Sequence, residues 1–362
     1  MRDNLRLNHK ILPQLVKLLP AERITRVRNL ALFMTGLVLS MTVQLPHIVK
    51  KWPTPGRQRS LVNRLSRFLN NAHVDPATYF RPVLVQLLER FSHAPLNLIV
   101  DCTKVGFNFR LLTVAVAYRK RTLPLVWRVY EGGKGHVPAA DTIELVRHVL
   151  QFLPAPRTAP IHLAGDSGFE SVELYKWLRQ QGIDFTIRLR GSVYFQRAGK
   201  PETWEQLADV ALEMGDTIEI GWVRITKSHN QGWHYLVAHW AEGEDEPWYL
   251  LSSLCALRPI LKSYQRRMWI EEMYGDMKGH GFDLEATHLR DTERISRLVM
   301  AVCWVYVWFM ALGSWVVKSG KRARVDVKSR RDKSYFRLGW DWLEDCLRLG
   351  NDCFRLRFVP YL

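Results

Sequence analysis

The chain has 362 residues, of which 47% are apolar and 24% are charged, so it can bury a substantial core in one to three domains. This composition excludes a disordered or collagen-like protein. The 52 Lys and Arg residues outnumber the 35 Asp and Glu residues, which gives a net charge of +17. Residues 1–95 carry a net +11 and residues 318–337 a net +7, whereas the rest of the chain is nearly neutral. Two basic segments indicate a polyanionic partner, either a nucleic acid or an anionic membrane surface.

Cysteine and histidine spacing argue against disulfides and zinc. None of the five cysteines forms a CxxC pair, and the 12 histidines show neither HxxxH nor HExxH spacing. A reducing cytoplasm fits this pattern.

Two stretches, residues 30–49 and 298–317, have the length of a membrane span and contain no Asp, Glu, Lys or Arg. Polar residues in the first, and aromatic residues spread evenly through the second, favour buried helices of a soluble protein. The polar N-terminus predicts that no secretory signal peptide is present. We therefore expect a cytoplasmic protein without membrane spans.

The first 92 residues predict helices, including residues 21–41 and 57–70, with Pro/Gly breaks between them. Four arginines on the second helix are available to face outward: Arg57, Arg59, Arg64 and Arg67. A short helix, a turn and an arginine-bearing helix are typical of a DNA-docking module. A solvated amphipathic helix in a plain bundle is the alternative interpretation.

From residue 96 the pattern changes to short β-branched and aromatic runs separated by amphipathic helices. The predicted order is β-β-β-α-β-α-β, with strands 96–100, 110–118, 123–130, 160–164 and 183–189 and helices 137–153 and 171–181. This order predicts an α/β ribonuclease-H-like fold, a mixed sheet with helices on both faces.

Three further strands, at 217–226, 233–240 and 248–252, form a β-rich insertion in this pattern. A helix from Pro259 through Lys278 and an apolar helix from Leu298 follow the insertion. The predicted domains are therefore a helical end-binding domain (1–92), a catalytic core in two parts (93–191 and 261–317), the β-rich insertion (192–260) and a basic C-terminal segment (318–362).

Three acids are candidate functional residues. Asp101 and Asp166 are each expected to end a strand of the sheet, where side chains from neighbouring strands converge on one edge. An isolated acid at a strand end is also a common turn or cap residue. The third, Glu271, lies on the helix after Pro259. At 100° per residue, Tyr264, Arg267, Glu271 and Lys278 share a stripe about 60° wide, which leaves Glu272 and Asp276 off the stripe. A solvated ionic face would also pair Arg with Glu at this spacing.

The motif Tyr264-x2-Arg267-x3-Glu271-x6-Lys278 resembles the Tyr-Arg-Glu-Lys signature of the insertion-sequence-four family of bacterial DDE transposases. Asp166-Ser167-Gly168-Phe169 resembles the segment around that family's second catalytic Asp, and Asp101 resembles its first. The resemblance covers roughly residues 57–317. It implies that Asp101, Asp166 and Glu271 are the catalytic, metal-binding acids.

Carboxylates suit this chemistry because hard Mg²⁺ prefers oxygen ligands. Two Mg²⁺ ions, with Mn²⁺ as a substitute, would stabilise the attacking and leaving oxygens of a phosphodiester reaction. Asp101 is expected to bridge both ions, with Asp166 and Glu271 each completing one.

The resemblance also gives Tyr264, Arg267 and Lys278 roles in holding DNA phosphates. Arg267 could clamp phosphate oxygens bidentately, whereas Lys278 is a point charge. Trp248 lies on a strand where relatives place a tryptophan that stacks on a flipped base, and Trp240 is the next candidate. Arg188 and Arg190 would either reach DNA at the sheet edge or form salt bridges.

Together these features predict a cut-and-paste DNA transposase that binds terminal inverted repeats and target DNA. We expect Mg²⁺-dependent nicking, attack by the freed 3′-hydroxyl, a hairpin intermediate that the resemblance implies, and strand transfer. Pairing two DNA ends requires at least a dimer in the synaptic complex. A related metal nuclease or resolvase on the same fold, or an inactive DNA-binding relative, is the alternative.

Overall fold

The computed structural model describes residues 3–132, 137–155, 157, 159–200, 202–227, 232–327, 329, 331–351 and 354–361. In that part of the chain the helices are α1 Asp3–Leu18, α2 Ile24–Ser40, α3 Leu45–Lys50, α4 Gln58–Leu69, α5 Pro76–Arg90, α6 Ala139–Leu150, α7 Val172–Gln180, α8 Leu257–Arg267, α9 Trp269–Met277, α10 Thr292–Lys318 and α11 Tyr335–Arg348. The strands are β1 Leu96–Val105, β2 Phe109–Tyr118, β3 Arg121–Glu131, β4 Ile161–Gly165, β5 Asp184–Leu189, β6 Tyr194–Arg197, β7 Glu205–Gln206, β8 Thr217–Ile225, β9 His234–His239 and β10 Trp248–Ser252.

The first five strands build the mixed sheet that the sequence predicts. Their order in the sheet is β3-β2-β1-β4-β5. The hairpin-linked strands β1, β2 and β3 are antiparallel, whereas β4 is parallel to both β1 and β5. This arrangement confirms the ribonuclease-H-like fold.

Helices cover both faces of the sheet. Neighbouring side chains of a strand point to opposite faces, so a single strand contacts helices on both sides. On β3, Arg128 and Tyr130 reach Asp141 of α6, whereas Trp127 donates a hydrogen bond to Ser296 of α10. Helix α8 packs against β1, β4 and β5, and α9 packs against β1, β2 and β3.

The β-rich insertion extends the same sheet. Strand β10 pairs antiparallel with β5, and β9, β8, β6 and β7 follow in that order. The strands predicted at 217–226, 233–240 and 248–252 are confirmed as β8, β9 and β10. Residues 228–231, between β8 and β9, lie outside the described residues. One ten-stranded sheet therefore joins the strands of the insertion to the first five strands.

Helix α10 is the central core helix. It is long and apolar enough to cross a membrane, but 94% of its most apolar window is buried inside the protein. It packs against α2, α4, α5, α11 and β3. It also begins earlier than predicted, because the Asp291 side chain accepts a hydrogen bond from the Arg294 backbone and caps its first turn.

The C-terminal segment contributes a helix that the sequence pattern does not predict. Helix α11 crosses α10 where Gly313 faces Gly339. A Cβ atom on Gly339 would overlap the carbonyl oxygen of Phe309, and one on Gly313 would overlap that of Tyr335. The two backbones therefore touch, which only glycine permits here.

Candidate active site

Asp101 and Asp166 lie next to each other on parallel strands. Strand β1 pairs with β4 in a register that places Val100 opposite Gly165, and each acid is the next residue along the chain. Asp166 follows β4 as predicted. The prediction that Asp101 ends β1 is wrong, because β2 continues the pairing on the other side and places Thr113 opposite Asp101.

The two acids differ in their surroundings. Asp101 is 8% exposed, and burial, followed by repulsion from Asp166, raises its pKa to about 7. The positive charge of Arg267 acts in the opposite direction. Asp166 instead accepts a hydrogen bond of 2.9 Å from the Gly168 backbone at the start of a 3-10 turn, Ser167–Phe169. The fold thus holds a buried carboxyl against a hydrogen-bonded one.

The predicted helix from Pro259 through Lys278 is two helices, α8 and α9. They meet at Met268, where the Glu271 backbone donates to the Met268 carbonyl in a tight turn. Helix α9 ends at Met277, so Lys278 lies outside the helix. Gly279 follows Lys278, and glycine is a poor helix former. The single stripe predicted for all four polar residues is therefore wrong for Lys278.

Arg267 connects the third acid to the first. Its Nη2 lies 2.8 Å from Glu271 Oε1, and its Nη1 lies 3.8 Å from Asp101 Oδ1. The guanidinium also stacks on the Tyr264 ring at 5.5 Å. The Tyr274 hydroxyl donates to the Asp101 backbone carbonyl at 3.1 Å and holds α9 against β1. Tyr264, Arg267 and Glu271 therefore gather beside Asp101 despite the break in the helix.

Lys278 reaches the same strand from the loop after α9. Its Nζ donates to Thr103 Oγ1 at 2.9 Å and to Glu285 Oε1 at 2.8 Å. Thr103 lies two residues after Asp101, so both side chains are on one face of β1.

Among the residues that the structure describes, no group of three or more His, Cys, Asp or Glu side chains is arranged to hold a metal ion. Asp101 and Asp166 provide the hard oxygen donors that Mg²⁺ prefers, and a cation between them would remove their repulsion. Glu271, half exposed, is engaged by Arg267. The donor chemistry fits a divalent cation, with the third acid held by an arginine.

The tryptophan and arginine candidates on the insertion side are already engaged. Trp248 is 6% exposed and packs edge-on against Tyr264, with ring centroids 4.9 Å apart. Trp240 is half-buried and donates to the Glu244 carbonyl at 2.8 Å. Arg188 forms a salt bridge with Glu246 at 2.9 Å. A base could stack on Trp248 only after the ring turns outward.

Arg190 is exposed at the end of β5, and its backbone amide donates to Glu170 Oε2 at 3.3 Å. Its side chain is open to solvent at the sheet edge.

The N-terminal arginines separate into two groups. Arg57, Arg59 and Arg67 are exposed along α4. Arg64 donates to Asn29 Oδ1 at 2.9 Å and lies over the Trp52 ring, so it holds α4 to the rest of the helical region.

Sequence reasoning missed a buried polar network that fixes α8. Ser263 of α8 bonds the His162 ring of β4 at 3.0 Å, and His162 bonds Thr186 of β5 at 3.0 Å. Thr186 in turn bonds Ser252 of β10 at 3.0 Å. A signal was present in the polar residues within otherwise apolar strands, but their partners lie more than 20 positions away.

A mixed sheet in ribonuclease-H-like order, with two acids on adjacent parallel strands and a third on a following helix, defines a class of nucleic-acid-processing enzymes. Residues 100–308 match the family model described as "Transposase DDE domain". This match covers more than half of the chain, so the chain belongs to the DDE transposase family. Enzymes of this family generally act through divalent metal ions.

No curated protein matches the chain. Among solved structures, the chain is similar to a piggyBac transposase synaptic complex with hairpin DNA, determined by cryo-EM, at 12% identity and a TM-score of 0.45. The similarity covers 96% of this chain and 80% of that one.

Proposed function

We propose that this transposase catalyses Mg²⁺-dependent cut-and-paste transposition and belongs to the insertion-sequence-four family. The observation that carries this proposal is the cluster of Asp101, Asp166, Arg267 and Glu271, which lies within the matched domain. The spacing of Tyr264, Arg267, Glu271 and Lys278 supports assignment to this particular family. The catalytic residues would be Asp101, Asp166 and Glu271.

Asp101 and Asp166 would hold divalent cations directly, since they are adjacent and repel each other without one. Glu271 would join them when Arg267 releases it. Two bound Mg²⁺ ions would supply Lewis-acid stabilisation of the attacking and leaving oxygens. Burial of Asp101 lowers the local dielectric around its carboxyl group, which strengthens charge interactions there.

Arg267 and Lys278 would bind the phosphates on either side of the reacting bond. Arg267 is 8% exposed and fixed by the Tyr264 ring, so its fork is preorganised for bidentate contact. Lys278 is held at Thr103, on the face of β1 that carries Asp101. Tyr264 would orient Arg267 and donate to a phosphate oxygen.

DNA would extend from this site over the insertion and the N-terminal region. Trp248, or Trp240, would stack on a flipped base of a hairpin end, with Arg188 and Arg190 at the sheet edge. Arg57, Arg59 and Arg67 would bind the terminal inverted repeat in the region of residues 1–92, and Arg64 would support α4. Two protomers would pair two DNA ends in the cytoplasm, at the nucleoid.

Cleavage of a labelled DNA end tests the proposal. Duplexes that carry the repeats flanking the gene are incubated with Mg²⁺ and wild-type protein, Glu271→Gln or Glu272→Gln. Glu272 is the matched control because it is the next acid along α9 and pairs with Arg121 at 2.9 Å. Loss of a metal ligand removes several kcal/mol of transition-state stabilisation, so Glu271→Gln should cut about 10³-fold more slowly. Glu272→Gln should cut at nearly the wild-type rate.

Equal losses in the two variants would contradict the assignment of Glu271. A pre-cut duplex with a 3′-hydroxyl end distinguishes the alternatives, because a transposase joins it to a second DNA whereas a nuclease only hydrolyses. An inactive relative would bind the duplex without cutting it. Asp101→Asn would then bind and fail to cut in the same way as the wild type.

A further inference from the structure

Part of the positive charge of the basic C-terminal segment is engaged in ion pairs in the folded chain. Four of its cations form short ion pairs within the segment and with α11: Arg322 with Asp326 at 2.6 Å, Arg324 with Asp345 at 2.6 Å, Lys333 with Asp341 at 2.7 Å and Arg337 with Asp341 at 2.7 Å. The positive charge of this segment is therefore only partly available to an outside partner.

A different set of cations remains without a carboxylate partner among the described residues. Lys318 is the last residue of α10, Lys321 lies three positions after it, and Arg355 and Arg357 come from the last described segment. We call these four residues the C-terminal cation cluster. They are brought together from positions more than 30 residues apart.

Two aromatic rings hold the cluster in place. Lys321 and Arg355 lie over Trp315, with their charged ends 4.6 Å and 5.7 Å from the ring centroid. Lys318 and Arg357 lie over Tyr361, at 4.6 Å and 4.3 Å. Such contacts keep long side chains ordered and leave their N–H donors free, so less entropy is lost when an anion binds.

The cluster lies far from the candidate carboxylates. The Tyr361 carbonyl accepts a hydrogen bond from Tyr118, the last residue of β2. Asp101 is paired with Thr113, five residues before Tyr118 on that strand, which corresponds to about 17 Å. The exposed Arg119 and Lys120 follow Tyr118 at the same end of the sheet. The cluster is therefore a separate basic surface.

We propose that the C-terminal cation cluster binds the phosphate backbone of a DNA duplex, at a place separate from the carboxylate site. This inference rests on the proposed function, which supplies DNA as the polyanion. Four cations held side by side repel one another, and a row of phosphates relieves that repulsion. Guanidinium groups at Arg355 and Arg357 suit phosphate oxygens, whereas the lysines contribute point charges. The surface would hold a part of the DNA that does not enter the active site.

Salt dependence of binding tests the cluster directly. Full-length wild type is compared with a variant that carries Lys318→Gln, Lys321→Gln, Arg355→Gln and Arg357→Gln, on a random-sequence duplex of about 30 base pairs. The matched control replaces four other exposed cations by Gln: Lys176, Lys200, Lys227 and Arg258. Both variants lose the same net charge.

We expect the cluster variant to bind on the order of 10²-fold more weakly at about 0.1 M salt. Its plot of log K against log[salt] should be less steep, with the magnitude of the slope smaller by about 2–4. The control should keep the wild-type slope. Equal losses in the two variants would overturn the proposal, since only total charge would then matter. An unchanged slope in the cluster variant would also overturn it, as would retained DNA binding with lost binding to phosphatidylserine vesicles.

A second measurement uses the wild-type protein and therefore does not depend on folding of the variant. Lys318 and Lys321 are acetylated by N-hydroxysuccinimide acetate with and without saturating duplex, and mass spectrometry reports their reactivity beside Lys176 and Lys200. Severalfold protection of Lys318 and Lys321 by the duplex, without protection of Lys176 and Lys200, supports the surface. Equal protection of the two pairs refutes it. Neither measurement requires cleavage, so failure of the catalytic proposal would be seen separately in the assay of Glu271→Gln.

Discussion

Asp101→Asn should make the metal-free protein more stable at neutral pH, although it would remove a proposed catalytic group. The wild-type carboxyl has a pKa of about 7 in the fold, against 3.8 for an aspartate in water, so the fold disfavours its ionised form. A pKa difference of one corresponds to about 1.4 kcal/mol, and the whole rise therefore to about 4 kcal/mol. Asparagine has nearly the same shape without the charge. We expect a gain of about 2–4 kcal/mol in the free energy of unfolding.

The sign of the pH dependence follows from the raised pKa. Below pH 3.8 the carboxyl is protonated in both the folded and the unfolded chain and costs nothing. Between pH 3.8 and about 7 the unfolded chain ionises while the fold keeps its proton, so wild-type stability falls as the pH rises. The advantage of Asp101→Asn should therefore be near zero at about pH 4 and complete above about pH 7.

Chemical denaturation in EDTA at several pH values measures this difference. Glu202→Gln, which removes an exposed carboxylate, is the control and should follow the wild type. Added Mg²⁺ should stabilise the wild type more than Asp101→Asn, because only the wild type gains the ligand's binding energy. An advantage of Asp101→Asn that is the same at low and neutral pH, or a loss at neutral pH, would refute the argument from burial and repulsion.

Three further predictions concern the packing that supports the site. Gly339→Ala should cost about 1–3 kcal/mol of unfolding free energy, because its Cβ overlaps the Phe309 carbonyl. The control is Gly279→Ala, whose Cβ meets open space and which should cost none in the same thermal melts. Arg297→Met should cost about 3 kcal/mol and speed proteolysis between residues 69 and 75, since the buried guanidinium bonds two backbone carbonyls there at 2.8 Å and 3.1 Å. Burial lowers the pKa of His162 to about 4, so wild-type stability should fall by up to about 3 kcal/mol between pH 6.5 and 4, and His162→Gln should show a smaller fall in the same titration.

Much of the fold could be predicted because local pattern and final structure agree. Strands β2, β3, β4, β5, β8, β9 and β10 all lie within a few residues of their predicted bounds. Each is a short β-branched or aromatic run bounded by turn residues, so the signal is contained in the strand itself. The order of the first five runs along the chain then favoured a ribonuclease-H-like sheet.

Features that depend on distant partners could not be predicted in this way. Strand β1 extends to Val105 because β2 pairs with it, and nothing in residues 101–105 alone requires that. Helix α11 is stabilised by its close contact with α10 at Gly339, which only the folded chain brings about. The insertion pattern predicted strands but not that they would continue the sheet of β1 to β5, since pairing of β10 with β5 joins residues about 60 positions apart.

The features of the candidate site also separate into those that the sequence could predict and those that it could not. Expected strand ends singled out Asp101 and Asp166, and helical spacing with Arg267 singled out Glu271. Spacing could not predict that Lys278 would reach β1 from a loop, nor that Arg267 would lie between two of the acids. Both contacts are set by the turn at Met268 and by the end of α9 at Met277, where helical periodicity no longer applies.

Arg267 explains how the three acids share one site in the free protein. Its guanidinium is the charge that opposes the repulsion between Asp101 and Asp166, and it holds Glu271 at the same time. A single guanidinium cannot keep both acids and clamp a phosphate with full strength, because its donors are fixed in one planar fork. DNA binding at this residue therefore competes with its carboxylate contacts, and the proposed release of Glu271 is the same event as the proposed engagement of phosphate. The position of one arginine thus connects the resting charge balance of the site to the assembly of its proposed catalytic acids.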